Sequence, residues 1–194
     1  MEVKVTTDLS SEPIALAVAK NKIQATYGTD ATEDAEINSL IKAARQMIEK
    51  YCNLSLGEKT IEILYHRDEV HDKRVKLPYG PHGDISEVVS IDQEGTETEL
   101  ELNSGYFKRG NQFKELEFKS MLANPFHESS GLTYDYKVTL SVGYGISETT
   151  EDLPEVFKQA IGLQVAKWYH HQFDGQLWEE VKKLINAYSR NIGI

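Results

Sequence analysis

YDYKVTLSVGYG, Tyr134 to Gly145, and EVFKQAIGLQVAKWYHH, Glu155 to His171, are the segments whose reading decides the fold. In the first, Tyr134, Tyr136, Val138, Leu140, Val142 and Tyr144 fall on alternate residues. They line one face of a β-strand, while Asp135, Lys137, Thr139 and Ser141 take the other. Gly143 and Gly145 then loosen the backbone, Leu153-Pro154 opens the next element, and the spacing becomes helical. Phe157, Ala160, Ile161, Gln164 and Trp168 share one stripe, flanked by Val156, Leu163 and Val165. Neither segment holds a catalytic motif. Together they read as a packing module.

Working outward, Ser11 and Pro13 mark a helix start. Leu16, Ala19, Ile23 and Tyr27 follow at helical spacing, and Gly28 stops the run. Asp30 with Glu33, or Thr32 alone, caps a second helix predicted from about Glu33 to Cys52. Its stripe is Ile37, Leu40, Ile41, Ala44, Ile48 and Tyr51. Two helices joined by a short link read as an antiparallel pair. Residues 1–10 read as a loosely attached arm.

From Lys59 to Gly145 the pattern changes to short strands, expected at Thr60–His66, Arg74–Leu77, Glu87–Ile91, Glu97–Leu102, Gln112–Phe118 and Tyr136–Gly143. Turn chemistry separates them at Pro78 to Pro81, Glu94-Gly95, Asn103 to Gly105 and Asn124-Pro125. After Asp174-Gly175 a last short helix places Leu177, Val181, Leu184, Ile185 and Tyr188 on one side. The order of helices, strands and helices predicts an α+β fold. The N-terminal helix pair (1–58) and the C-terminal helices (146–194) would form a helical bundle. A small antiparallel β domain, sandwich- or barrel-like, would be inserted at 59–145. The expected bundle core is Leu16, Ile23, Ile37, Leu40, Ile41, Ala44, Ile48, Tyr51, Phe157, Ile161 and Trp168.

Composition narrows the function. The chain has 194 residues, 40% of them hydrophobic, enough for a core and too few for a membrane protein. No apolar run nears the roughly 18 residues of a membrane span. The polar, acidic start MEVKVTTDLSSEP is unlike a signal or transit peptide. Cys52 is the single cysteine, so an internal disulfide is excluded and a reducing site of synthesis fits. The formal net charge is −10, with basic and acidic counts of 6 and 9 in residues 1–58, 10 and 15 in 59–145, and 5 and 7 in 146–194. No third of the chain is basic, which argues against tight DNA binding.

Candidate sites reduce to structural readings. His170 with Asp174, and the cluster Asp68, Glu69, His71 and Asp72, match no metal-ligand spacing with known mechanics. Cys52, ending an apolar stripe, reads as core rather than as a nucleophile. Gly80 to Asp84 lacks the lysine and Ser/Thr of a phosphate loop and reads as a turn. Adjacent Glu179 and Glu180 point to different sides of a helix. Trp168, Tyr169, Phe173, Trp178 and Tyr188 close the helical core over Ile48 and Tyr51, or form a protein-binding surface. Trp168 is assigned to the core. Trp178, Val181, Leu184, Ile185 and Tyr188 are assigned to an interface, so deletion of Leu177–Ile194 is expected to spare folding and abolish docking. No catalytic residue, metal ligand or cofactor is predicted.

Two ordered signatures carry a resemblance. EPIALAVAKNKIQ (12–24) precedes DAEINSLIKAARQMIEKYCNLSL (34–56), and VTLSVGYG (138–145) precedes LPEVFKQAIGLQVAKWYHHQ (153–172). Together they resemble the head–tail connector family of tailed phages, the DNA-packaging or head-completion adaptors. RVKLPYGPHGDISEVVSID (74–92) is similar to that family's LP-x-x-P … V-x-S-V segment, but adds His82-Gly83-Asp84. The resemblance implies a non-enzymatic virion protein of the head–tail neck, made in the host cytoplasm. It would form a ring of identical subunits that docks on the portal protein and meets tail or head-completion proteins, away from any membrane. DNA would pass along the ring without sequence-specific binding. A small metal-dependent hydrolase, or a cytosolic assembly or regulatory protein outside the virion, are the alternatives.

Overall fold

A computed structural model of the chain describes residues 1–23, 31–66, 69–70, 73–92, 94–111, 113–119, 136–145, 152–171 and 174–189. Among the described residues, four α-helices and two antiparallel sheets make an α+β fold. The chain divides into two compact units: Met1–Asp8 with Glu58–Thr150, and Leu9–Gly57 with Glu151–Ile194.

In the β unit, strand β8 (Tyr136–Val142) is the centre of a five-stranded sheet. It lies between β2 (Lys59–Tyr65) and β4 (His82–Ile91), with β1 (Glu2–Thr7) and β5 (Glu97–Glu99) as the edges. The alternation read from the sequence is realised directly: Tyr136, Val138, Leu140 and Val142 are buried, and the residues between them are half-exposed. Leu140 lies opposite Ile61 and Val138 opposite Ile63, so both strands turn their apolar rows to one side. Gly143 and Gly145, at φ 114 and 84, end the strand in a backbone region where a Cβ would be strained.

A second sheet has the order β3-β7-β6, built from β3 (Arg74–Lys76), β6 (Tyr106–Arg109) and β7 (Glu115–Phe118). Val75, Tyr106, Leu116 and Phe118 from this sheet share one apolar core with Ile61, Ile63, Val88 and the buried row of β8. Phe118 stacks on Tyr136 with ring centroids 4.4 Å apart. Fully burying a side chain of this size is worth roughly 1.5–3 kcal/mol.

Three expectations fail here. Residues 2–7 form an edge strand rather than a loose arm, with Val3 opposite Ile63 and Val5 opposite Ile61. Only Val3 is half-buried in β1, so two alternating valines were too short a signal. Strand β6 was not expected, because Tyr106 alone of its residues is buried. The stretch Gly80 to Asp84 is also more than a turn, since β4 begins at His82. The register of β4 against β8 shifts between His82 and Ile85 and again between Ile85 and Glu87. Between His82 and Ile85, β4 thus carries one residue more than the facing stretch of β8.

His82 explains why the strand starts there. Its ring is buried, with Nδ1 accepting the Lys114 N–H at 2.8 Å. An accepting Nδ1 makes Nε2 the protonated nitrogen, and Nε2 donates to the Pro78 carbonyl at 2.9 Å. A neutral histidine thereby fastens β4 to the loop before it and to the residue preceding β7.

The helical unit contains α1 (Leu16–Ile23), α2 (Ala31–Cys52), α3 (Glu155–His171) and α4 (Glu179–Ile185). α3 packs against each of the other three. Ile23, Ile37, Ile41, Ala44, Ile48, Phe157, Ile161 and Trp168 are buried, whereas Leu16, Leu40 and Tyr51 are half-exposed. α1 begins at Leu16 rather than at Pro13, and Ile14 ahead of it is buried. With 22 residues, α2 is about 33 Å long. Tyr27, Gly28, Asp30, Gln112, Asn124, Pro125, Tyr134 and Asp135 lie outside the described residues.

Candidate functional site

The helical unit is fixed by polar side chains placed inside an apolar frame. Arg45 is 1% exposed, and its Nε and Nη1 donate to Glu12 (2.7 Å) and Glu49 (3.0 Å). Glu49 also accepts the Leu56 N–H at 2.9 Å. One guanidinium therefore ties the segment before α1 to α2, and its carboxylate partner ties α2 to the residues that follow it. Arg45 sits on the apolar stripe of α2, between Ala44 and Ile48, so period alone gives it no role.

α3 holds the final helix in a similar way. Gln164 is buried; its Oε1 accepts the Trp178 N–H (2.9 Å) and its Nε2 donates to the Gln176 carbonyl (3.1 Å). One turn on, the Trp168 indole N–H donates to Asp174 Oδ1 at 2.9 Å. The Gln176 N–H donates to the same oxygen, and these two hydrogen bonds, the backbone one foremost, hold the Asp174 carboxyl below the usual carboxylate range. The connection from α3 to α4 is thus secured at Asp174, Gln176 and Trp178.

α4 presents only part of the predicted interface. Val181 and Ile185 are fully buried, and Leu177 nearly so. Leu184 and Tyr188 are each 38% exposed, although the Tyr188 ring meets Phe157 edge-on at 5.0 Å. Trp178 is half-exposed, with Lys167 Nζ 5.9 Å from its ring centroid. The outward apolar surface is therefore Trp178, Leu184 and Tyr188. Deletion from Leu177 onward would take three buried side chains out of the core, so the expectation that it spares folding does not stand.

The histidine and carboxylate candidates are engaged in structure. His170 donates from Nε2 to the Ile23 carbonyl at 3.1 Å, while Asp174 serves Trp168 and Gln176. The neighbouring Tyr169 hydroxyl donates to Glu33 at 2.6 Å, anchoring the end of α3 to the start of α2. Asp68, His71, Asp72 and Phe173 lie outside the described residues. Among the described residues, no group of three or more His, Cys, Asp or Glu could hold a metal ion. Cys52 is buried with Sγ 4.0 Å from the Ile185 carbonyl, and burial pushes its thiol up to about 12. A thiol held protonated is a packing group.

The β unit displays charge on its outer strands. Arg74 and Arg109 both pair with Glu117, and the hydrogen bond from Arg109 holds that carboxyl below its usual range. On the five-stranded sheet, Lys137 pairs with Glu97 and lies 3.9 Å from Glu87. The bond to Glu97 raises the lysine above its ordinary value. Arg74, Arg109 and Glu97 are exposed.

No curated protein sequence matches the chain. In structure it is similar to a chain from the virion of a native gene transfer agent particle, at 20% identity and a TM-score of 0.74, covering 100% of this chain and 99% of that one. A chain from the neck of an empty gene transfer agent particle, computed with C6 symmetry, matches over the same shares at 21% identity and a TM-score of 0.70. A chain from the neck of the native particle, computed with C12 symmetry, does so at 20% and 0.67. At these identities the likeness establishes the fold. The family model for head completion proteins matches residues 21–177, from the end of α1 to the connection before α4. This is the class to which the ordered signatures at 12–56 and 138–172 pointed, and the chain belongs to the head completion protein family.

Proposed function

We propose that the protein is a structural adaptor in the head–tail neck of a tailed phage or phage-like particle. Identical copies form a closed ring that docks on the portal protein and extends the DNA channel toward the tail. The observation that carries this reading is the likeness in fold, over the whole chain, to proteins from particle necks computed with C6 and C12 symmetry, joined to membership of the head completion family. The helical unit acts as a bundle around α3, and the β unit as a sandwich-like body. Trp178, Leu184 and Tyr188 form the apolar surface offered to the portal, while Val181 and Ile185 hold α4 in place beneath it. The role is non-enzymatic. The excess of acidic groups lets DNA pass without adhering.

The test is electron microscopy of the purified protein, alone and mixed with portal-bearing capsids. Closed rings, or density added beneath the portal, are expected. A protein that stays monomeric and never binds such capsids overturns the reading.

A further inference from the structure

Two edge strands of the β unit carry opposite charge. β5 ends the five-stranded sheet, and Glu97, Glu99 and the following Glu101 are all exposed. Their cationic neighbour Lys137 is shared between Glu97 and Glu87, so the strand keeps a negative excess. The Leu100 N–H donates to the Val88 carbonyl and the Asp92 N–H to the Thr96 carbonyl. Even-numbered residues therefore face β4, and the backbone groups of Glu97 and Glu99 point away from the sheet.

β3 ends the other sheet with the reverse sign. Arg74 and Lys76 are exposed, as is Arg109 on the same outer face. Two carboxylates of β7 lie among these three cations, Glu117 paired with both arginines and Glu115 opposite Lys76 and Arg109, so the face keeps a positive excess. Hydrogen bonds from Phe118 N to the Lys73 carbonyl and from Leu77 N to the Lys114 carbonyl turn odd-numbered residues toward β7. Arg74 and Lys76 thus lie on the outer edge, where the Lys76 carbonyl accepts the Tyr65 hydroxyl at 3.0 Å.

We propose that these edges are the two halves of one subunit contact: the β5 edge of one copy (Glu97, Glu99, Glu101) seats against the β3 edge of the next (Arg74, Lys76). The inference rests on the ring reading above and specifies its interface. In a chain of net charge −10, copies repel unless each finds a local surface of opposite sign. Two different complementary patches on one chain make a heterologous contact, which repeats around a ring until the rotation closes. Like edges repel, so an isologous dimer through either strand is disfavoured.

The experiment uses the full chain and scores assembly by sedimentation and electron microscopy, alone and on portal-bearing capsids. One variant carries Glu97→Lys and Glu99→Lys, the other Arg74→Glu and Lys76→Glu; circular dichroism confirms that each is folded. Each alone is expected to associate about tenfold more weakly or worse. Mixing the two is expected to restore rings, because the acidic edges of one variant then face the basic edges of the other. Rising salt should weaken the wild-type contact, since such exposed charges are screened within about 8 Å at physiological ionic strength. Wild-type rings that persist unchanged in both variants overturn this contact and leave the ring standing. A wild-type protein that never assembles overturns the ring itself. Loss of capsid docking in the basic-edge variant, with self-association intact, assigns that edge to another partner and also overturns the proposal.

Discussion

Arg45 and Glu49 stand one helical turn apart on α2 with 3.0 Å between Nη1 and the carboxylate, and neither is more than 5% exposed. Removing one member of a buried pair leaves an uncompensated charge, a loss of roughly 3–5 kcal/mol. Arg45→Leu is therefore expected to unfold the helical unit at markedly lower urea. Arg45→Lys keeps the charge but cannot fork between Glu12 and Glu49, so its loss should be smaller. Equal midpoints for Arg45→Leu and the wild type would remove the network from the account of stability.

The Trp168–Asp174 hydrogen bond gives an acid dependence. Asp174 is depressed in the folded protein by the Gln176 N–H and the Trp168 indole. Its contribution is thus fully present above the unfolded carboxyl value of about 3.9 and is lost as pH falls through the lower folded value. Asp174→Asn should be less stable than wild type at neutral pH, with the gap narrowing below about pH 4. Thermal melts between pH 7 and 3, followed by tryptophan fluorescence, measure it; a gap that does not change with pH would count against the assignment.

Cys52 should behave as a buried thiol. With its thiol raised to about 12 by burial, it should react with a disulfide reagent no faster than the helical unit opens. Full reaction in denaturant is the control. Rapid labelling of the native protein would show that the α2–α4 packing is open.

Residues on the two sides of α4 should separate cleanly. Val181→Asp places a carboxylate among fully buried apolar groups and is expected to destabilise by several kcal/mol. Leu184→Asp, at an exposed position, should leave the melting temperature within a few degrees and weaken docking to portal-bearing capsids. A melting temperature lowered as far by Leu184→Asp as by Val181→Asp would move Leu184 into the core.

Where one face is apolar over several turns or strand residues, the sequence sufficed. The rows Ile37 to Ile48 and Tyr136 to Val142 fall where their periods placed them, because burying a continuous row has one geometric solution. Polar residues working inside the core were not legible. On spacing alone Gln164 is a stripe member without a task, since its partners arrive 12 and 14 residues later. Arg45 depends on Glu12, 33 residues earlier. His82 acquires its role only once β4 and β7 are neighbours. The α4 surface was half legible: the apolar side was found, but spacing cannot tell which of its members face inward.

The position of β1 bears on how the protein can be made. Its partner β2 follows only after both N-terminal helices, and the central strand β8 is reached at Tyr136. α3, which contacts every other helix, comes later still. Neither unit can close while the ribosome is in the first two-thirds of the described chain, so folding waits on contacts distant in sequence and is expected to be slow. A head completion protein built in this order stays unfinished until α3 and α4 emerge. Partial products should then lack a completed surface with which to join, and spoil, an assembling particle.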